Sequence, residues 1–274
     1  MNVDASPTAD DVGVHRLTGG SGPLVVAVHG AEGSWREWEP LAAAWPGQHR
    51  LIALDLPWRA GNDYGWDRQG TPGQWLRGAV DRLGEPVHAV LGHSLGGNAV
   101  LEWLCAPGGH DAAAAVLFAP FYRPVTDVVD AALEREFRAA FRVAVADGIR
   151  IALSTRIQQM DEWLFESIVD TALNRVGEHG LGVLFDQFVA TGSFDVAAVR
   201  VPTRVLVGET DPALITRRGA ALAAAMPAAD ISYRPDYGHC FHISHADRIA
   251  DELAAFLADA TPVPLGAGDQ RRTA

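Results

Sequence analysis

The chain has 274 residues, with 22 Lys+Arg against 34 Asp+Glu and a formal net charge of −12. All of its basic residues are arginine; without a lysine, Schiff-base lysine chemistry, a P-loop nucleotide site and a protein-kinase ATP site are excluded. The acidic balance repels a phosphate backbone, so no nucleic-acid partner is expected.

A hydrophobic content of 48 % with 20 % charged residues is that of a globular chain. The length suits one large domain, or a domain carrying an insertion. Met1–Asp11 is acidic and polar, unlike a secretory signal, and no apolar run reaches membrane-spanning length. Two cysteines, Cys105 and Cys240, make no disulfide framework, so a cytoplasmic protein with reduced thiols is expected.

In chain order, Thr18–Pro23 is a turn signal between Val12–Leu17 and the apolar run Leu24–Val28, and predicts a hairpin. Short apolar runs recur at Leu24–Val28, Leu51–Leu54, Val87–Leu91, Ala115–Phe118, Val201–Val207 and Ile231–Arg234. Runs of this length, rich in Val, Ile and Leu, suit strands buried on both faces. Helical segments lie between them, at Trp38–Trp45, Pro72–Leu83, Gly97–Cys105, Ala213–Met226 and Ala246–Ala260. The alternation predicts a parallel sheet with helices on both faces.

Residues 121–195 break the alternation. Leu133, Phe137, Phe141 and Val145 recur every four positions, the stripe of an amphipathic helix, and Met160–Ile168 and Leu181–Val189 add further helical segments. This predicts a helical lid inserted into a core of residues 12–120 and 196–260, with flexible termini at 1–11 and 261–274.

The strongest chemical signal is Gly92-His93-Ser94-Leu95-Gly96-Gly97, placed between a strand and a helix. A serine at such a turn is held at a helix N-terminus with its hydroxyl clear of the backbone. A nucleophilic serine needs a base, and the base an orienting acid. Asp211, in Val-Gly-Glu-Thr-Asp-Pro, and His239, in Asp-Tyr-Gly-His, each follow a predicted strand on the same sheet edge. Glu209 and Asp236 compete for the acid role, and His242 and His245 for the base. The bland reading of Asp211 is a helix cap before Pro212.

Gly-His-Ser-Leu-Gly-Gly, the later Asp-Pro, the late Gly-His and the early His29-Gly30 together resemble the α/β-hydrolase superfamily across about residues 12 to 260. The resemblance implies an α/β fold, a mostly parallel twisted sheet with helices on both faces and an inserted all-helical lid. It also implies a catalytic Ser94, Asp211 and His239, with the N–H groups of Ala31 and Leu95 as the oxyanion hole. His29 and His93 are expected to be structural, and Cys240 to be packing. No metal and no cofactor is expected.

One segment departs from the family pattern. After Asp55-Leu56-Pro57 the chain has Trp58-Arg59 in place of the usual glycine and its neighbour. Trp58 and Arg59 are therefore candidate substrate contacts, together with Phe121, Tyr122 and Trp163; the competing reading puts Trp58 in the core and Arg59 in solvent. Glu32, beside the oxyanion hole, is expected to point away from it. Arg135, Arg138 and Arg142 share a helix face; they are either a solvated face or a site for an anionic tail. The function expected is hydrolysis of an ester, thioester or lactone of a hydrophobic small molecule. An acyl-carrier or CoA thioester and a polyketide-like metabolite are among the candidates. The alternatives are acyl transfer, cyclisation or C–C chemistry on the same triad, or a receptor-like binding protein. A monomer or homodimer is expected.

Overall fold

The computed structural model describes residues 12–106 and 112–260; the segments expected to be flexible, 1–11 and 261–274, lie outside the described residues. In chain order the strands are β1 (Gly13–Arg16), β2 (Leu24–Val28), β3 (Arg50–Asp55), β4 (Val87–His93), β5 (Ala114–Phe118), β6 (Thr203–Gly208) and β7 (Ala229–Arg234). They form one sheet in the order β1-β3-β2-β4-β5-β6-β7. All neighbours are parallel except β1, which runs antiparallel to β3.

The inner parallel strands β2 to β6 are mostly buried on both faces, with β7 half-exposed at the sheet edge, and their side chains divide by parity. Val26 and Val28 enter one core with Leu54 and Val90, while Val25 and Ala27 enter the other with Leu51, Ala53 and Leu91. The first core is closed by α2 (Pro72–Leu83), α3 (Leu95–Cys105) and α6 (Thr216–Ala225); the second by α1 (Glu39–Ala43) and α8 (Ala246–Asp259). Local chemistry sets the helix ends. Thr71 accepts from Gln74 N and Gln74 returns the bond to Thr71 N, a capping box with Pro72 at the first turn. Gly84 closes α2 in the left-handed region, at φ 65°.

The expected hairpin at Thr18–Pro23 is not formed. Both edges of β2 are occupied, by β3 and β4. β1 lies instead on the outer edge of β3, pairing Gly13 with Asp55. Its alternating half-exposed pattern suits an edge strand, whereas β2 is buried at every position.

Two long helices stand between β5 and β6: α4 (Ala131–Ala152) and α5 (Glu162–Ala190). Asp130 caps α4 by accepting from Ala132 N and Leu133 N. The two segments expected at Met160–Ile168 and Leu181–Val189 belong to α5, which is broken at Gly177, with φ 66° and ψ 179°. Ala146, Phe165 and Val169 make a small core between the two helices, while Leu184 and Phe188 join the main core. A short helix α7 (Phe241–Ser244) precedes α8. Among the described residues no helix is long and apolar enough to cross a membrane.

Leu91 lies fully buried in β4, between β2 and β5. Leu91→Ala is expected to lower the unfolding free energy by about 3 kcal/mol, measured by urea denaturation, with the slope unchanged.

Candidate active site

The segment from Gly92 to Gly96 turns from β4 straight into α3. Ser94 stands at the tip with φ 50° and ψ −118°, a conformation that non-glycine residues rarely adopt. Its N–H donates to Phe118 O at 2.8 Å and its carbonyl accepts from Asn98 N at 3.0 Å, so the strained backbone is held on both sides. The flanking glycines are sterically required. A Cβ on Gly96 would lie 2.3 Å from Val28 O, and one on Gly92 would lie 2.5 Å from Gly96 O.

Asp211 and His239 reach the same end of the sheet, after β6 and β7. His239 Nδ1 donates to Asp211 Oδ2 at 2.9 Å, and both residues are buried. Asp211 also caps the turn at Pro212, accepting from Ala213 N through its other oxygen. The capping role and the histidine contact are therefore both present. With Nδ1 donating, Nε2 of His239 carries the lone pair. Burial disfavours the charged ring, but Asp211, helped by Asp147 and Glu37, more than offsets it and raises His239 above its ordinary value.

Two cavities meet at Ser94 and His239. The narrow one, of about 40 Å³, is walled by Leu95, Phe121, Phe137, Phe141, Leu184 and Phe188. The wide one, of about 440 Å³, runs between α4 and α5 past Glu32, Val145, Ile149, Arg175 and Val176. Ala31 borders both. The N–H groups of Ala31 and Leu95 have no acceptor within the chain among the described residues. For Leu95 this follows from its place at the first position of α3. Ser94 Oγ is not hydrogen-bonded to His239 among the described residues, a common state of such pairs before substrate binds.

Of the candidate substrate contacts Trp58, Arg59, Phe121, Tyr122 and Trp163, Phe121 is the one that lines either of these two cavities. Trp58 is fully buried in the core, donates Nε1–H to His29 O at 3.0 Å, and packs edge-on against Trp66. Arg59 is half exposed and 3.9 Å from Asp55. Tyr122 is buried in the main core, and Trp163 is 78 % exposed on α5. Glu32 lines the wide cavity, but its carboxylate is engaged by Asn62, Tyr64 OH and Gly61 N. Arg138 pairs with Glu134 and Glu178, and Arg142 with Glu166 and Asp170, so two of the three arginines that share this face of α4 clip it to α5. Arg135 is exposed. Burial pushes the Cys240 thiol well up, against a nucleophilic role.

Sequence reasoning missed a buried cluster behind the site. Glu37, in the short turn before α1, accepts from Gly30 N at 3.2 Å and lies 3.0 Å from His93 Nδ1 and 3.4 Å from His242 Nε2. His93 Nε2 is 3.2 Å from the carbonyl oxygen of His239. The three side chains offer potential metal-ligand atoms within 4.8 Å of one another. The His93 and His242 rings are tilted at 39° with centroids 4.1 Å apart, and His93 Nδ1 and His242 Nε2 both approach one oxygen, Glu37 Oε1. The Glu37 carboxylate occupies the point where the two ring nitrogens meet; His93 is hydrogen-bonded to it, while both ring nitrogens of His242 are buried without a hydrogen bond among the described residues. Only an acidic residue beside Trp38 marked it in the sequence.

The comparisons with known proteins agree with this architecture. A family model described as the alpha/beta hydrolase family matches residues 25–252. No curated protein matches the chain. Among solved structures, an esterase from Thermogutta terrifontis superposes with a TM-score of 0.64 at 21 % identity, covering 93 % of this chain and 97 % of that one. An esterase from a Rhodococcus species gives 0.64 at 20 %, covering 91 % and 95 %. A meta-cleavage product hydrolase from Pseudomonas fluorescens gives 0.62 at 16 %, covering 91 % and 95 %.

The buried cluster makes stability depend on pH. Burial, with His242 adding to it, lowers His93 to about 4, so in the folded protein it resists protonation that begins near 6.5 in the unfolded chain. Glu37 is disfavoured as an anion by burial, but His93 and His242 outweigh this and hold it well below the usual carboxylate range. Both contributions are full at neutral pH and are lost as pH falls, His93 from about 6.5 and Glu37 from the ordinary carboxylate range downward. Urea midpoints measured from pH 7 to pH 4 should fall in the native protein. In Glu37→Gln the midpoint at pH 7 should be lower, because the buried histidines and Gly30 N lose their charged acceptor; an unchanged midpoint would contradict the assignment.

Proposed function

The chain belongs to the alpha/beta hydrolase family, and we propose that within it this protein is a serine esterase acting on small carboxylic esters with an apolar acyl group. The observation that carries the reading is the strained Ser94, set at the N-terminus of α3 beside a buried His239 already oriented by Asp211. A strained backbone at a cleft is retained where surrounding contacts enforce it, and here it presents a hydroxyl to two cavities.

In the proposed reaction Ser94 Oγ attacks the ester carbonyl carbon while His239 Nε2 takes the hydroxyl proton. The carbonyl π electrons move to oxygen, and that oxyanion is stabilised by the N–H groups of Ala31 and Leu95 and the N-terminus of α3. Collapse breaks the C–O bond to the alcohol, which leaves with the proton from His239. Water then attacks the acyl-enzyme with His239 again as base, releasing the acid and restoring Ser94. Asp211 keeps Nδ1 protonated, so that Nε2 stays the basic atom, and stabilises the imidazolium that forms.

The cavities suggest how a substrate divides. The narrow arm is walled largely by phenylalanine and leucine, and its space suits a short apolar acyl group. The wide arm accommodates a larger alcohol. In this reading α4 and α5 act as the lid, since they supply walls to both arms.

Two outcomes test the assignment. A fluorophosphonate should label Ser94, and Ser94→Ala should lower kcat on p-nitrophenyl esters by on the order of 10⁶-fold; a loss below tenfold, or a requirement for His239 without any acylation of Ser94, would replace the covalent mechanism with acid–base chemistry. The pH profile gives the second. His239 must be neutral to act as base and its pKa lies above the ordinary 6.5. The acid limb of kcat/KM should therefore have its midpoint above pH 6.5, with activity rising as pH increases through it.

A further inference from the structure

The peptide unit that joins His239 to Cys240 is gripped at both of its polar atoms. Its oxygen faces His93 Nε2 at 3.2 Å, on the turn that carries Ser94. Its N–H, that of Cys240, donates to Asp147 Oδ2 at 2.7 Å. Asp147 lies in α4, 93 residues away in the chain. Gly238 makes this approach possible, since a Cβ there would fall 2.6 Å from Asp147 Oδ1. A backbone N–H on a carboxylate is a charge-assisted bond, about twice as strong as a neutral one.

The other polar ties of α4 do different work. Arg138 and Arg142 bind α4 to α5, not to the sheet. Glu136, toward the start of α4, pairs with the buried Arg218 of α6 at 2.9 Å. Asp147 ties the second half of α4 to the loop between β7 and α7, the loop that bears His239.

We propose that Asp147 is a positioning residue which, through the Cys240 N–H, fixes the loop bearing His239, so that seating of α4 over the cleft and alignment of the base are one event. This rests on the reading of His239 as the general base. His93 holds the peptide oxygen from the nucleophile side and Asp147 holds its N–H from the inserted helix. If α4 lifts, one of these two restraints is removed, and the imidazole loses its fixed direction toward Ser94.

Charge works in the same sense as geometry. The ionisable groups facing His239 are Asp211 from the loop after β6, Asp147 from α4, Glu37 from the turn before α1, and His93, whose ring centroid is 4.9 Å away. Burial opposes the imidazolium; after Asp211, Asp147 is the next carboxylate that favours it. Seating α4 therefore also makes His239 a stronger base.

Two variants separate these effects. Asp147→Asn keeps an oxygen acceptor and removes the charge. It should move the acid limb of kcat/KM to lower pH, leaving the plateau kcat within about threefold, less than the loss of a whole hydrogen bond would give. Asp147→Ala removes both. Its plateau kcat should fall roughly tenfold with a smaller change in KM, and the Cys240 amide should exchange with deuterium roughly tenfold faster, the size expected for one charge-assisted bond. An unmoved acid limb in Asp147→Asn overturns the proposal. So does a lowered Tm in Asp147→Ala with kcat and Cys240 exchange unchanged, since that marks a merely structural tie. If Asp147→Ala does not fold, the limb and Cys240 exchange in Asp147→Asn decide. Full activity in Ser94→Ala would overturn the underlying esterase reading, and is measured without reference to Asp147.

Discussion

The close approach of the turn after β4 to the end of β2 is the constraint from which the site follows. Gly96 brings its backbone against the carbonyls of Val28 and His29, where no side chain fits. That contact forces the chain to reverse within two residues and puts Ser94 into a positive-φ conformation. The reversal starts α3 at once, leaving its first N–H groups unclaimed. The same approach brings Ala31, just past β2, to the cavity wall beside Leu95. A single steric demand thus sets the position of the hydroxyl, the helix terminus and both unclaimed amides.

Behind that turn the fold buries charge instead of avoiding it. Glu37 receives Gly30 N and faces two histidines, one of which holds the carbonyl of His239. A lone buried carboxylate would be costly, and so would a lone buried imidazole; together they offset one another. The cluster fastens three separate pieces of chain: the start of the loop after β2, the turn after β4, and the loop after β7. It acts as a hub beside the candidate site, with Glu37 and His93 also lining the wide cavity.

Features encoded by neighbouring residues were legible in the sequence. The runs at Leu24–Val28 and Val87–Leu91 became β2 and β4 because a five-residue apolar stretch between turn residues has few other ways to be buried. Pro72–Leu83 matched α2 end to end, because Thr71 and Gly84 carry both stop signals locally. That Ser94, Asp211 and His239 each follow a strand of a parallel sheet, and so lie toward one end of it, is readable from the order of the runs. What was not legible depended on distant partners. The pairing of β1 was decided by occupancy of β2's edges, not by the turn between them. Trp58 went to the core because an acceptor, His29 O, awaited its indole N–H there. Glu37 meets His93 across 56 positions and Asp147 meets Cys240 across 93, and no local pattern signals either.

The break at Gly177 gives the inserted region a mechanical character. An unbroken α5 of 29 residues would be one rod about 44 Å long. Gly177, at φ 66° and ψ 179°, leaves the helical conformation and divides α5 into two shorter rods across a kink. The first is riveted to α4 by the carboxylates of Glu166 and Asp170. The second carries Leu184 and Phe188 into the narrow cavity. Arg138 holds the second rod to α4 through Glu178, so a single helix spans the break and pins both pieces, and the joint at Gly177 is bridged from outside by guanidinium–carboxylate pairs.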